Sequence, residues 1–198
     1  MTNPDQRHAA IIAAALQEFA RHGFEAARES RIAREAGVSL ATLRRRFPDR
    51  ADLFRESVRA ATLRLIESAG QDFPGDTAEE KLRAFARWCW QTMADPDHAA
   101  LLRLAVGELH RFPELAVFHA AEVLGRAGRV LEGLLAEGAR RGEFRHLEPR
   151  STARVALSAF LAHSLWFAFP EIYGGLTGQA RDRAEQAVVD FVLQAVRP

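Results

Sequence analysis

The side chains with chemistry to offer are concentrated between Arg28 and Phe47, in the stretch RESRIAREAGVSLATLRRRF. Residues 28–50 hold seven arginines against three acids, a local excess of +4. Guanidinium groups in such a patch are suited to phosphate, which they grip through two parallel hydrogen bonds. Arg44, Arg45 and Arg50 are therefore candidates for nucleic-acid backbone contacts, Ser30, Leu40, Ala41 and Thr42 are candidates to lie near base edges, and Arg28 and Ser39 are further candidates for DNA contact. Catalytic constellations do not emerge elsewhere. Glu143 and His146 form a single Glu-x-x-His, whereas a carboxylate-bridged di-iron bundle needs two such pairs and two more carboxylates. The chain has no phosphate-binding glycine loop, no Gly-x-Ser-x-Gly elbow and no His-Glu-x-x-His. It is expected not to be an enzyme, and neither a metal nor a cofactor is expected.

Those arginines need a scaffold, and the spacing around them supplies one. Ile32, Ala33 and Ala36 recur at helical intervals and stop at Gly37, a residue able to take the positive φ of a sharp helix ending. Val38 can fill the angle between two helices, Ser39 can cap the second, and Leu43 with Phe47 gives that second helix an inward face. Two short helices joined by a tight turn, the second ending in arginines, make a helix-turn-helix able to enter a major groove.

With IAREAGVSLATL followed by RRFPDRADLF, the sequence resembles the TetR family of one-component transcriptional regulators over roughly residues 7 to 60. Three departures from the family pattern stand out. Arg44 occupies the position of a usual tyrosine, and Arg46 that of a usual aromatic or histidine. Arg44, Arg45 and Arg46 stand about 100° apart around a helix, so they cannot all face one groove. One of them is expected to reach a phosphate beside the groove or to pair with an acid. The third departure is a missing Thr or Ser cap near Ala27 and Arg28, with Glu29 where an apolar residue is customary.

The bulk properties agree with a folded globular chain. A chain of 198 residues with 48% hydrophobic content can bury a substantial core. Its net charge of +1 conceals +3 over residues 1–60 and −2 over the remainder. The single Cys89 excludes an intramolecular disulfide and suits a reducing compartment, and nothing in residues 1–20 reads as a signal peptide. Val155 to Phe169, the longest nearly uncharged apolar run, is short of the roughly 20 residues that span a bilayer. A cytoplasmic protein without membrane association is expected.

Along the chain, Asn3 and Pro4 read as cap and first turn of a helix ending at Gly23, and Asp49 as the cap of a helix running to about Ile66. Asp76 and Glu79 have capping-box spacing before a helix bearing Leu82, Phe85, Cys89 and Met93. Asp95-Pro96 opens another, which lasts until Pro113. Residues 114–140 have a helical pattern interrupted by Gly125, Gly128, Gly133 and Gly138, and form either one tightly packed helix or two. Gly142 leads into a loop, Pro149 opens a helix to about Phe169 that is apolar nearly all round, and a last helix covers about 179–196. The expected architecture is all-α with about nine helices: a helix-turn-helix DNA-binding domain at 1–50 and a helical ligand-binding and dimerisation domain at 51–198.

The resemblance also implies partners. TetR-type regulators dimerise through a four-helix bundle made by the last two long helices of each subunit. The small and apolar faces here, Ala153, Ala156, Leu157 and Phe160 with Ala184, Val188 and Phe191, are the expected interface. A ligand cavity is expected among the middle helices, with Trp88, Met93, His119, His163 and Trp166 as its candidate lining. So few charges on inward stripes favour a largely apolar ligand. The expected function is a homodimeric, operator-binding regulator, in its repressor form released by that ligand. The alternative is a helical interaction or ligand-binding module without an operator, or a response through Cys89 as a redox sensor.

Overall fold

The computed structural model describes residues 4–68 and 73–198. Among them the regular structure is helical throughout, with no strand. They divide into two compact units, each assembled from separated pieces of chain: Met1–Ile66 with Pro96–Ala120, and Glu67–Asp95 with Ala121–Pro198. This differs from the expected boundary at residue 50, because residues 96–120 supply apolar side chains to the core of the first helices.

The first unit begins with α1 (Pro4–Ala26), whose Ile12, Leu16 and Phe19 are buried. The expected Asn3 cap lies outside the described residues. Gly23 breaks the helix at φ 75°, a conformation that a side chain would strain. Beyond it come α2 (Glu29–Glu35), α3 (Leu40–Arg46) and α4 (Arg50–Ser68). Asp49 caps α4, accepting the Ala51 N–H at 2.8 Å. The returning segment forms α6 (Pro96–Gly107), a single 3-10 turn (Leu109–Arg111) and α7 (Pro113–His119). Phe112 enters the core of the helix-turn-helix directly, its ring 4.5 Å from Phe54 and 5.1 Å from Phe24 between centroids. Glu108 accepts the Phe24 N–H at 3.1 Å and so anchors the break at Gly23.

The second unit contains α5 (Ala78–Met93), α8 (Gly125–Arg140), α9 (Pro149–Ala168), α10 (Pro170–Tyr173) and α11 (Gly178–Val196). Leu82, Phe85 and Trp90 of α5 share its core with Leu131 and Leu135 of α8, Phe160 of α9 and Val192 of α11. The cap of α5 is one residue later than expected. Thr77 accepts the Glu80 N–H at 3.1 Å while Glu80 accepts the Thr77 N–H at 3.1 Å, so Thr77 and Glu80 form the box. Glu79 is held instead by Arg197, at 2.9 Å, and Arg83, at 3.0 Å.

The glycine-rich stretch 114–140 takes both expected forms at different points. A π turn, Ala120–Leu124, divides it into α7 and α8. Within α8, a Cβ at Gly138 would collide with the ring of Phe144 and come within 2.9 Å of Ala78, so close packing requires glycine there. The short α10 was not foreseen and, with the division of 114–140, raises the helical segments above the nine expected.

Candidate nucleic-acid interface

The helix-turn-helix forms for local reasons. At the end of α2, Gly37 adopts φ 67°, Val38 N–H donates to the Ala33 carbonyl at 2.9 Å, and the chain turns within four residues. Ser39 then starts α3: its hydroxyl accepts the Thr42 N–H at 3.1 Å and lies 2.9 Å from the Thr42 hydroxyl. Leu43 and Phe47 are buried, which fixes the rotation of α3 and leaves Ala41, Arg44, Arg45 and Arg46 exposed. Leu40 and Thr42 are half-buried, Leu40 packing on the core.

The start of α2 is stabilised from a distance. Arg28 occupies the cap position without a side-chain cap of its own. Glu18 of α1, 1% exposed, accepts the Arg28 N–H at 2.9 Å and lies 3.4 Å from the Arg31 guanidinium. A buried carboxylate from another helix therefore replaces the missing Ser or Thr, and sequence reasoning missed it.

The arginines divide by partner. Arg44 Nε donates to Glu29 at 2.8 Å, so the two departures from the family pattern at these positions compensate each other. Arg46 Nε donates to His8 Nδ1 at 2.8 Å, and the other ring nitrogen of His8 is 2.7 Å from Glu56. Arg50 donates to the Glu25 carbonyl at 3.1 Å and so ties down the end of α1. Arg28 and Ser30 are exposed, and Arg45 has no acidic partner among the described residues. Ser30 of α2 and Ala41 of α3 are thus exposed, as are the guanidinium-bearing Arg28, Arg45 and Arg46.

Elsewhere, the expected ligand residues fall into different surroundings. Met93 is core, and half-buried Trp88 packs 5.8 Å from Phe85. His163 stacks on Trp166 at 5.3 Å and approaches Trp90 at 5.6 Å, and Trp166 continues to Tyr173 at 5.1 Å. Trp90 Nε1 in this row and Ser164 Oγ, on the same helix as His163 and Trp166, are buried with no hydrogen-bond partner among the described residues. His119 belongs to the first unit, where its Nδ1 is 3.4 Å from Thr62 Oγ1 and burial lowers its pKa. Cys89 is buried, and desolvation pushes its thiol pKa far upward, the opposite of what a redox sensor needs. Glu143, from the Glu-x-x-His, accepts the Ala78 N–H at the start of α5 and pairs with Arg141 at 2.7 Å.

The expected dimer residues need correction. Ala153, Ala156, Leu157, Phe160 and Val188 are buried in the second unit's own core, because α9 packs there against α5, α8 and α11. Ala184 is half-buried, and of the seven only Phe191, at 61%, is exposed. Val155, at 66%, is the large apolar residue that α9 leaves exposed.

A capped, two-helix reading head with an arginine border is the equipment of a helix-turn-helix DNA-binding protein. The family described as bacterial regulatory proteins, tetR family, matches residues 11–57, and the AefR-like transcriptional repressor C-terminal domain matches residues 80–197. The chain belongs to the TetR family of transcriptional regulators. Solved structures agree along the whole chain. The flavonoid-responsive regulator FrrA is 28% identical with a TM-score of 0.65, covering 98% of each chain. The fatty acid degradation regulator FadR from Bacillus halodurans is 24% identical with a TM-score of 0.69, over 96% of this chain and 100% of that one. A putative transcriptional regulator from Saccharomonospora viridis in complex with choline is 20% identical with a TM-score of 0.74, over 99% and 100%. No curated protein matches the sequence. Among the described residues no helix is long and apolar enough to cross a membrane, and no group of three or more His, Cys, Asp or Glu is placed to hold a metal.

Proposed function

We propose that the protein is a homodimeric repressor that binds an operator through α2 and α3 and releases it when a largely apolar ligand binds the second unit. The observation that carries the DNA reading is the exposed face of α3, with Ser39 and Thr42 spent on capping and Arg45 and Arg46 uncompensated by acids at its border. Ser30 and Ala41 lie near base edges, with half-buried Leu40 and Thr42 beside them. Arg28, Arg45 and Arg50 serve the backbone, and Arg44 does so only when Glu29 yields it. Two copies set their reading heads on two half-sites through contacts that include Phe191 and Val155.

The ligand reading rests on the aromatic row of the second unit. Two buried polar atoms lacking partners, Trp90 Nε1 and Ser164 Oγ, fit a molecule that is mostly apolar and offers one or two hydrogen-bonding groups. The flavonoid response of FrrA, the relative at 28% identity, supports that class. A cationic ligand such as choline is less well served, since the Arg181 guanidinium already lies 5.8 Å from the Phe167 ring centroid. Ligand and DNA weaken each other's binding by the same factor.

The test selects a duplex from a randomised pool and titrates apolar aromatic compounds against sugar phosphates. Operator release by an aromatic compound, lost in Ser164→Val, is expected. Release by a sugar phosphate alone would overturn the ligand reading, and failure to enrich any duplex would overturn the DNA reading.

A further inference from the structure

Beside Arg46, α3 faces the start of α1 across a hollow of about 300 Å³ lined by Arg7, His8, Ile11, Thr42, Arg45 and Arg46. Arg7 and Arg45 are exposed, and neither has an acidic partner among the described residues. Arg46 is held differently. Its Nε–H donates to His8 Nδ1 at 2.8 Å, so that nitrogen accepts and the ring's proton sits on Nε2, which donates to Glu56 at 2.7 Å. The ring itself is fixed by stacking on buried Phe47, with centroids 5.9 Å apart and planes 21° from parallel.

This differs in kind from the neighbouring Arg44. A carboxylate holding Arg44 cancels its charge, whereas the His8 ring holds Arg46 by one nitrogen, spends none of that charge, and keeps Glu56 on its far side. The terminal nitrogens of Arg46 remain available as a fork of the geometry that phosphate oxygens accept. Three guanidinium groups around one hollow, with a threonine at its wall, form a concave cationic site larger than the helix-turn-helix alone provides.

Resting on the DNA-binding reading above, we propose that this hollow seats a phosphate of the DNA backbone, with Arg7 and Arg46 as its ligands, and that His8, braced by Glu56, is the positioning residue for Arg46. The DNA footprint then extends from α3 onto α1. Neither Arg7 nor His8 belongs to the set expected from the motif.

Because backbone contacts are independent of sequence, the test needs no operator. Binding of the full-length protein to a random-sequence duplex of about 25 base pairs is measured by fluorescence anisotropy over a range of NaCl concentrations. Arg7→Ala and Arg46→Ala should each make the slope of log K against log salt shallower, and the double variant should reduce it by about 0.9, the loss of one phosphate contact. His8→Phe keeps the ring on Phe47 but removes both hydrogen bonds, and should weaken binding roughly threefold to tenfold. His8→Gln, whose amide can accept from Arg46 and donate to Glu56, should restore most of that loss. In an Arg46→Ala background, His8→Phe should have no further effect. Unchanged slopes in Arg7→Ala and Arg46→Ala, with wild-type protein binding normally, would overturn the phosphate seat. Additive effects of His8→Phe and Arg46→Ala would overturn the positioning role. Absence of any wild-type binding would instead overturn the DNA-binding reading beneath both.

Discussion

Glu18 makes a demanding test of the account given for the reading head. The carboxylate is 1% exposed and serves the start of α2 through the Arg28 N–H at 2.9 Å, with Arg31 at 3.4 Å and His22 at 3.6 Å around it. Replacing it with alanine removes a helix cap, typically worth about 1 kcal/mol, in the form of a charge-assisted hydrogen bond, typically about 1.5–3 kcal/mol. These describe the same bond, so they are not summed, and about 2 kcal/mol is the fair figure. The pair with Arg31 is one-third exposed on the arginine side and adds under about 1 kcal/mol after solvent screening. The total, about 2–3 kcal/mol, should lower the thermal midpoint by roughly 5–10 °C for a chain of this size. Glu18→Gln keeps an acceptor for Arg28 but loses the charge, and should cost about half as much. Circular dichroism melts and hydrogen exchange at the Arg28 amide measure both effects. A Glu18→Ala midpoint within about 1 °C of wild type, with the Arg28 amide still protected, would refute the capping role.

Four further outcomes follow from the packing. Phe191→Glu places a charge on an exposed position, so the subunit should melt normally while sedimentation shows dissociation to monomers; Phe160→Glu, in the core, should unfold it. Cys89 should resist alkylation at pH 8 and react only in denaturant, because burial holds its thiol protonated far above that pH; rapid labelling of the native protein would contradict this. Gly138→Ala should destabilise the second unit by about 1–3 kcal/mol in urea melts, since the added methyl meets Phe144 and Ala78, whereas Gly133→Ala, with open space around it, should not. Glu29→Gln should release Arg44 for a phosphate and steepen the salt dependence of DNA binding by up to about one unit of slope; a shallower slope would contradict the pairing.

What could be read from the sequence was what short-range chemistry decides. Gly37, Ser39 and the spacing of Ile32, Leu43 and Phe47 act within one or two turns, and the helix-turn-helix forms as they predict. The capping box illustrates the limit. Asp76 with Glu79 and Thr77 with Glu80 have the same spacing, and the choice is made by Arg197, 118 residues away, which occupies Glu79. Glu18 was hidden for the same reason: nothing local distinguishes a buried capping carboxylate from a solvated one. On α9, a helix apolar nearly all round does not reveal which side faces its own subunit, so Phe160 and Val155 were indistinguishable until α5 and α8 were placed.

The interleaving of the two units bears on how the protein is made. The chain leaves the first unit at Ile66 and re-enters it at Pro96, and Leu101, Leu104, Phe112 and Leu115 of the returning segment are buried in its core. A nascent polypeptide that has emerged only as far as α4 therefore exposes the apolar faces of α1 and α4, and the reading head cannot close before residue 115 is clear of the ribosome. For the same reason the matched segment 11–57 alone lacks part of the core that its helices share. A fragment cut after α4 would lack the Phe112 ring that packs against both Phe24 and Phe54, and a graft of this reading head onto another regulator is expected to need residues 96–120 along with it.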